Sequence, residues 1–470
     1  MEGDQTNMKK ILMRCVLYLV ILAVFLGGVG IYGMKRSAAE FYFNVNDRPM
    51  PADLQDITPP KLDPNKPTVA LVMDVGTTEI FDFLMPYELF SMTEKYNVVS
   101  VASDTKLRTL SGGVDLFPNY SFAQLDALLG KSPDIIVIPY MPSVNQAGYQ
   151  PVREWIQKHG ETTLLSICGG SGNLADTGLL KGKSATSHWQ AIDLELQKKY
   201  PDTEWLKDHR YVAQGNIVTS GGQTGGIDAV LYVISQKLGM AEAEKLSNDI
   251  HYPTFQFVQN PVVAPYSVDL KYSTYVLNKA FQWNKTQTGV MLYNGMDEMA
   301  MSSVFDAFAD TGTTQVSTFA SVRQPVVTKH GLTLLPRYTY ADADAPKLDH
   351  MYVTGIEAKS LASDEIQKYN AQSKQPSLQY MHADEPERFV FEQPLEALAK
   401  QEDMMTAKHG VKRFEYRGQN LHLESSSAMP YDTYSELLLT VLLAVLTAWA
   451  IDRRFLSKRS ASRKKTELSA

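Results

Sequence analysis

The chain has 470 residues, 44% of them hydrophobic and 21% charged, with a net charge of −7. That is a globular composition with room for two or three domains. Both ends are basic and the middle is acidic, which excludes nucleic acid as a partner of the central part. Two cysteines, Cys15 and Cys168, exclude a disulfide framework.

Residues 1–14 carry Lys9, Lys10 and Arg14, and 15–34 is an uncharged run. Its roughly 20 residues match one bilayer crossing as a helix. The rival reading is a signal peptide cleaved near Ser37-Ala38-Ala39, but the run is long for one and Lys35-Arg36 suits cleavage poorly. Residues 35–66 are polar and hold Pro51, Pro59, Pro60 and Pro64, which predicts a linker. At the other end, 419–433 reads as a linker and 434–451 as a second, shorter span. The tail 452–470 is basic, with Arg453, Arg454, Lys458 and Arg459. Basic flanks mark cytoplasmic ends. The expectation is a two-pass cell-membrane protein with both termini cytoplasmic, the main domains outside, and the lipid bilayer as a partner.

Within 67–253, apolar strands alternate with helical stretches. Thr68–Asp74, Val98–Ala102, Asp134–Pro139, Thr163–Ile167 and Asn216–Thr219 read as strands, and 80–96, 122–129, 152–159 and 227–238 as helices. This alternation predicts a mostly parallel sheet covered on both faces. Ligands bind at the carboxyl ends of such strands. Cys168 lies at one of these ends, followed by Gly169, Gly170 and Gly172 and a helical start. A strand that breaks into a helix at a cysteine is a nucleophile-elbow pattern. The helix N-terminus behind it favours the thiolate.

After a linker at 254–287, the pattern repeats over 288–418. Gly113-Val-Asp-Leu-Phe-Pro-Asn-Tyr-Ser-Phe122 returns as Gly331-Leu-Thr-Leu-Leu-Pro-Arg-Tyr-Thr-Tyr340. Gly76-Thr-Thr-Glu79 returns as Gly295-Met-Asp-Glu298, and Asp134-Ile-Ile-Val-Ile138 as Asp349-His-Met-Tyr-Val353. The chain is read as an internal duplication, an intrachain pseudo-dimer. The second copy has Met301 where the first has Asp82, and it is shorter by the stretch that carries Cys168. It reads as a degenerate, structural partner.

The run Ser166-Ile-Cys-Gly-Gly170, with Thr177-Gly-Leu-Leu180, Ala185-Thr-Ser-His-Trp189, Val218-Thr-Ser-Gly221 and Gly225-Gly-Ile-Asp-Ala-Val-Leu231, resembles the ThiJ/PfpI superfamily (class I glutamine amidotransferase-like). The resemblance is to the branch found in AraC-type regulators and isonitrile hydratases. It implies an α/β, flavodoxin-like three-layer sandwich with a mostly parallel sheet, duplicated here and flanked by two transmembrane helices. It also implies a site: Cys168 as nucleophile, Asp82 as the carboxylate beside it with Glu79 as the alternative, and His188 close by. Backbone N–H groups at Gly169 and Gly170 are candidate oxyanion donors. Replacing Asp82 with Asn is expected to raise the thiol pKa. Two departures stand out. Gly169 replaces a threonine common in hydratase-like members, and Tyr140-Met141 replaces the family's Gly-Gly after Pro139. No helix-turn-helix follows, so nucleic acid is not a partner.

The residues leave two functions open. One is a cofactor-free cysteine hydrolase, hydratase or lyase acting on a small molecule. The other is a non-catalytic ligand-binding or redox-sensing module tethered to the membrane. No metal site is expected, because the nine histidines show no ligand spacing.

Overall fold

The computed structural model describes residues 2–457 except 53, 55, 56, 270, 271 and 373–375. The strand Thr68–Val72 is buried along its whole length, as its run of apolar and β-branched residues requires for the centre of a parallel sheet. Around it a seven-stranded sheet runs in the order Tyr211–Gln214, Ile217–Ser220, Thr163–Ser166, Ile135–Ile138, Thr68–Val72, Asn97–Ala102, Tyr120–Ser121. Only the first pair is antiparallel. Helix α2 (Ile80–Met92) lies on one face, buried on every side from Ile80 to Phe90.

The second half holds a five-stranded parallel sheet. Its order is Tyr338–Thr339, Thr314–Ala320, Thr286–Met291, His350–Thr354, Leu378–Met381. This is the order of the first sheet from Tyr120–Ser121 to Thr163–Ser166. The local chemistry repeats as well. Asp134 accepts the Thr68 N–H at 2.8 Å, and Asp349 accepts the Gln287 N–H at 2.8 Å. The repeated Gly113 and Gly331 motifs pair antiparallel, with Leu334 opposite Leu116, Thr333 opposite Phe117 and Leu335 opposite Asp115. A motif that pairs with its own copy in this crossed register sits on a local two-fold axis. One apolar core, reaching from Val69 to Tyr416, runs through both halves. Phe81 of α2 meets Phe391 of the second half at a ring separation of 4.5 Å.

Three expectations need correction. The strand that feeds the elbow is not missing from the second half. Ile136 pairs with Leu164 and its counterpart Met351 pairs with Leu378. Four residues on from each lie Cys168 and His382. Both hold a left-handed backbone, with φ of 55° and 83°. A helix opens at Gly170 directly after Cys168, whereas after His382 the next helix begins only at Glu392, so the second half keeps the strand and not the strand-to-helix elbow. Secondly, the N-terminal apolar run belongs to one helix, α1 (Glu2–Tyr42), which extends into the predicted linker. The expected Lys35-Arg36 break is bridged by an i,i+4 ion pair, Arg36–Glu40, at 2.7 Å. Thirdly, the linker 254–287 contains a helix, Tyr272–Phe281, which packs against α1 and the C-terminal helix Tyr431–Ile451. Gly33 makes that crossing, because a Cβ there would lie 2.0 Å from the Ala280 carbonyl oxygen.

Helix α1 and the helix Tyr431–Ile451 are long and apolar enough to cross a membrane. They pack side by side, with Arg14 and Asp452 paired at 3.1 Å. The basic tail residues Lys458, Arg459, Arg463, Lys464 and Lys465 lie outside the described residues.

Candidate functional site

Cys168 ends its strand in a conformation that costs a β-carbon residue free energy, and the surroundings hold it there. Its N–H donates to the Gly221 carbonyl at 3.0 Å. Its carbonyl accepts the Ser187 hydroxyl at 2.7 Å. The side chain lines a cavity of about 230 Å³, together with Tyr42, Tyr140, His188, Tyr275 and Arg413.

Asp82 and Glu79 are both fully buried, close enough to Cys168 to oppose its thiolate. Glu79 caps α2 by accepting the Asp82 N–H at 2.7 Å. Asp82 accepts the Tyr140 N–H at 3.2 Å, and its other oxygen has no protein partner. Burial pushes both carboxyls up to about 8, helped at Asp82 by the carboxyl of Asp306 and at Glu79 by Asp82 itself. At neutral pH they therefore hold protons and can donate them. The Cys168 thiol is also pushed well above its ordinary value, first by burial and then by Asp82. Arg413 and the Gly169 N–H act in the opposite direction. The elbow's helix does not outweigh burial, so the resting group is a thiol. Asp82 opposes the thiolate once it is itself ionised, above about pH 8, and there the expected sign reverses: removing its charge lowers the thiol pKa.

His188 comes to the cavity as expected. Its Nε2–H donates to the Arg413 carbonyl at 3.1 Å, and burial with the Arg413 charge keeps it neutral. It shapes the wall rather than carrying a charge. The two oxyanion candidates differ. The Gly169 N–H points to the sulfur. The Gly170 N–H is already donated to the Ile167 carbonyl at 2.8 Å, so it does not serve. In the opposite loop, the Tyr140 N–H goes to Asp82 and the Met141 N–H to Asn173 at 3.0 Å. The two departures noted in the sequence are one event in space. A Cβ on residue 169 would lie 2.6 Å from the Tyr140 ring. With tyrosine at 140, threonine at 169 does not fit.

Three contributors have no local signal in the sequence. Arg413 arrives from the second half, held by Asp310, which also binds Lys279 at 2.9 Å. Asp306 comes from the helix Glu298–Ala309, packed on α2. Tyr42 is the last residue of α1. Each lies outside the stretch that carries the motifs, so only the folded chain brings them in.

Residues 68–236 match the DJ-1/PfpI family. An isonitrile hydratase of Pseudomonas putida is 31% identical over 180 residues, which cover 36% of this chain and 72% of that enzyme. The HTH-type transcriptional regulator CdhR of Pseudomonas aeruginosa is 36% identical over 110 residues, 22% of this chain. The match spans about a third of the regulator's length, 32%. Among solved structures, a DJ-1 superfamily protein of Salmonella typhimurium aligns at 19% identity and a TM-score of 0.35, over 40% of this chain and 99% of that one. Drosophila melanogaster DJ-1beta aligns at 17% identity and a TM-score of 0.33, over 39% and 96%.

Proposed function

Because the chain belongs to the DJ-1/PfpI family, we propose that it is a cofactor-free thiol enzyme of the hydratase type, acting on a small molecule with an electrophilic carbon. The observation that carries this reading is a protonated thiol at a strained elbow, beside buried carboxyls that also hold protons, in a cavity sized for a small molecule. An isonitrile carbon suits such a site, because addition there needs both a nucleophile and a proton. The Cys168 sulfur bonds to the terminal carbon, and Asp82 delivers a proton to the same carbon and recovers one from the thiol. The product is a thioimidate. Water then adds to that carbon, the C–S bond breaks, the thiol regains its proton and an N-substituted formamide leaves. Gly169 and Arg413 are the positive groups nearest the reacting centre.

The flanking helices are read as two membrane spans with both termini cytoplasmic and both halves outside. Their length, lack of charge and side-by-side packing support this. The shared strand order and the crossed pairing at Leu116 and Leu334 support an internal duplication. A second reading, a ligand-sensing module, is favoured by one observation: the end of α1 forms part of the cavity wall.

Turnover of small alkyl isonitriles by the full chain in detergent tests the reading. Formamide should form, and Cys168→Ala should reduce the rate by at least about 100-fold. Formation that is indifferent to Cys168→Ala would overturn it. Binding without turnover would transfer the site to the sensing reading.

A further inference from the structure

We infer that Glu88, Glu298 and His330 form a divalent metal site, of the zinc class, where the second half of the chain meets the first. One ligand atom from each of the three lies within 4.8 Å of the others. Glu88 is on α2, Glu298 opens the partner helix Glu298–Ala309, and His330 sits on the turn before Thr333–Leu335. Glu88 and His330 line a cavity of about 300 Å³, as does His382, and Glu298 lies behind them within reach of both. This cavity is the second half's counterpart of the Cys168 pocket. His382 takes the place of Cys168 after the strand, and Glu298 takes the place of Glu79 in the repeated Gly-X-X-Glu motif.

Charge and hydrogen bonding both point to a cation. Glu88 and Glu298 are buried side by side. The nearby Lys329 is committed to Asp297 at 3.1 Å and Glu357 at 3.4 Å. Arg388 is committed to Glu385, Glu392 and Glu396. Among the described residues, His330 faces the pair, with Nδ1 at 2.8 Å from Glu298 Oε2. The carboxylates are oriented as metal ligands are, by outer partners. The Thr328 hydroxyl reaches Glu298 Oε1 at 2.5 Å, and the Met299 N–H reaches Glu88 Oε2 at 2.6 Å. Two carboxylates and one imidazole suit zinc with a position open to the cavity.

The test uses the untagged full chain in detergent, stripped with EDTA and titrated with zinc chloride by calorimetry. One zinc per chain is expected. His330→Ala and Glu88→Gln should each weaken binding at least 100-fold, while Cys168→Ala leaves it unchanged. Glu88→Gln keeps the shape of the carboxyl, and an unchanged melting temperature shows that it folds. No binding at micromolar zinc, or binding that both variants retain, overturns the proposal. Loss only in Cys168→Ala would overturn it too, by placing the ion in the thiol pocket.

Discussion

The chemistry of single residues is set by burial more than by helix dipoles. Cys168 is a thiol at rest because desolvation opposes the anion, and Asp82 adds to this once ionised. Alkylation of Cys168 should therefore be slow at neutral pH and rise only in alkali, and Asp82→Asn should speed it above about pH 8. A pH series with a small haloacetamide reads both effects, and a slower Asp82→Asn would contradict the pairing. With Asp82 as the proposed acid, turnover should fall as pH rises through about 8, a limb that disappears in Asp82→Asn. The Gly169–Tyr140 contact gives a second test. Gly169→Thr alone should cost about 1–3 kcal/mol by overpacking, and Tyr140→Gly in the same chain should restore most of it. Chemical denaturation measures the pair, and simple additivity would refute the contact. Cys168, Asp82, Glu79 and His188 were legible in the sequence because each sits in or beside a local motif. Arg413, Asp306 and Tyr42 were not, since no local pattern signals a contact made from another element.

At the scale of elements, α1 does more than carry an apolar run. It continues beyond its apolar run to place Tyr42 at the thiol cavity, and Ser37 donates to the Lys279 carbonyl at 3.0 Å on the way. Lys285 binds Glu40 at 2.6 Å and fixes the same end. The strand–helix alternation was readable in order, but this extension was not. Polarity and Lys35-Arg36 mimic the start of a linker, while the packing against Tyr272–Phe281 that keeps the helix going is tertiary. Tyr42→Ala should open the cavity, raising KM for a small substrate several-fold and leaving kcat within about twofold. Steady-state kinetics separate the two, and an unchanged KM would remove Tyr42 from the wall.

At the scale of the molecule, the two halves share a core and exchange functional groups. Arg210 of the first half is wholly buried, bound to Asp228 at 2.6 Å and donating to the Glu415 carbonyl of the second half at 2.8 Å. Arg210→Met should cost about 3–5 kcal/mol, because it strands a buried carboxylate. Thermal unfolding measures that loss. The likeness of the two halves was visible in the sequence, but their strand register was not: Leu378 pairs with Met351 as Leu164 pairs with Ile136, and His382 stands where Cys168 does. The central claim remains the one made at Cys168, that its sulfur bonds to substrate carbon. Rapid-quench peptide mass spectrometry during isonitrile turnover tests it most directly. The account predicts one substrate mass on the peptide holding Cys168, absent in Cys168→Ala. Turnover with that peptide unmodified at every quench time would contradict it.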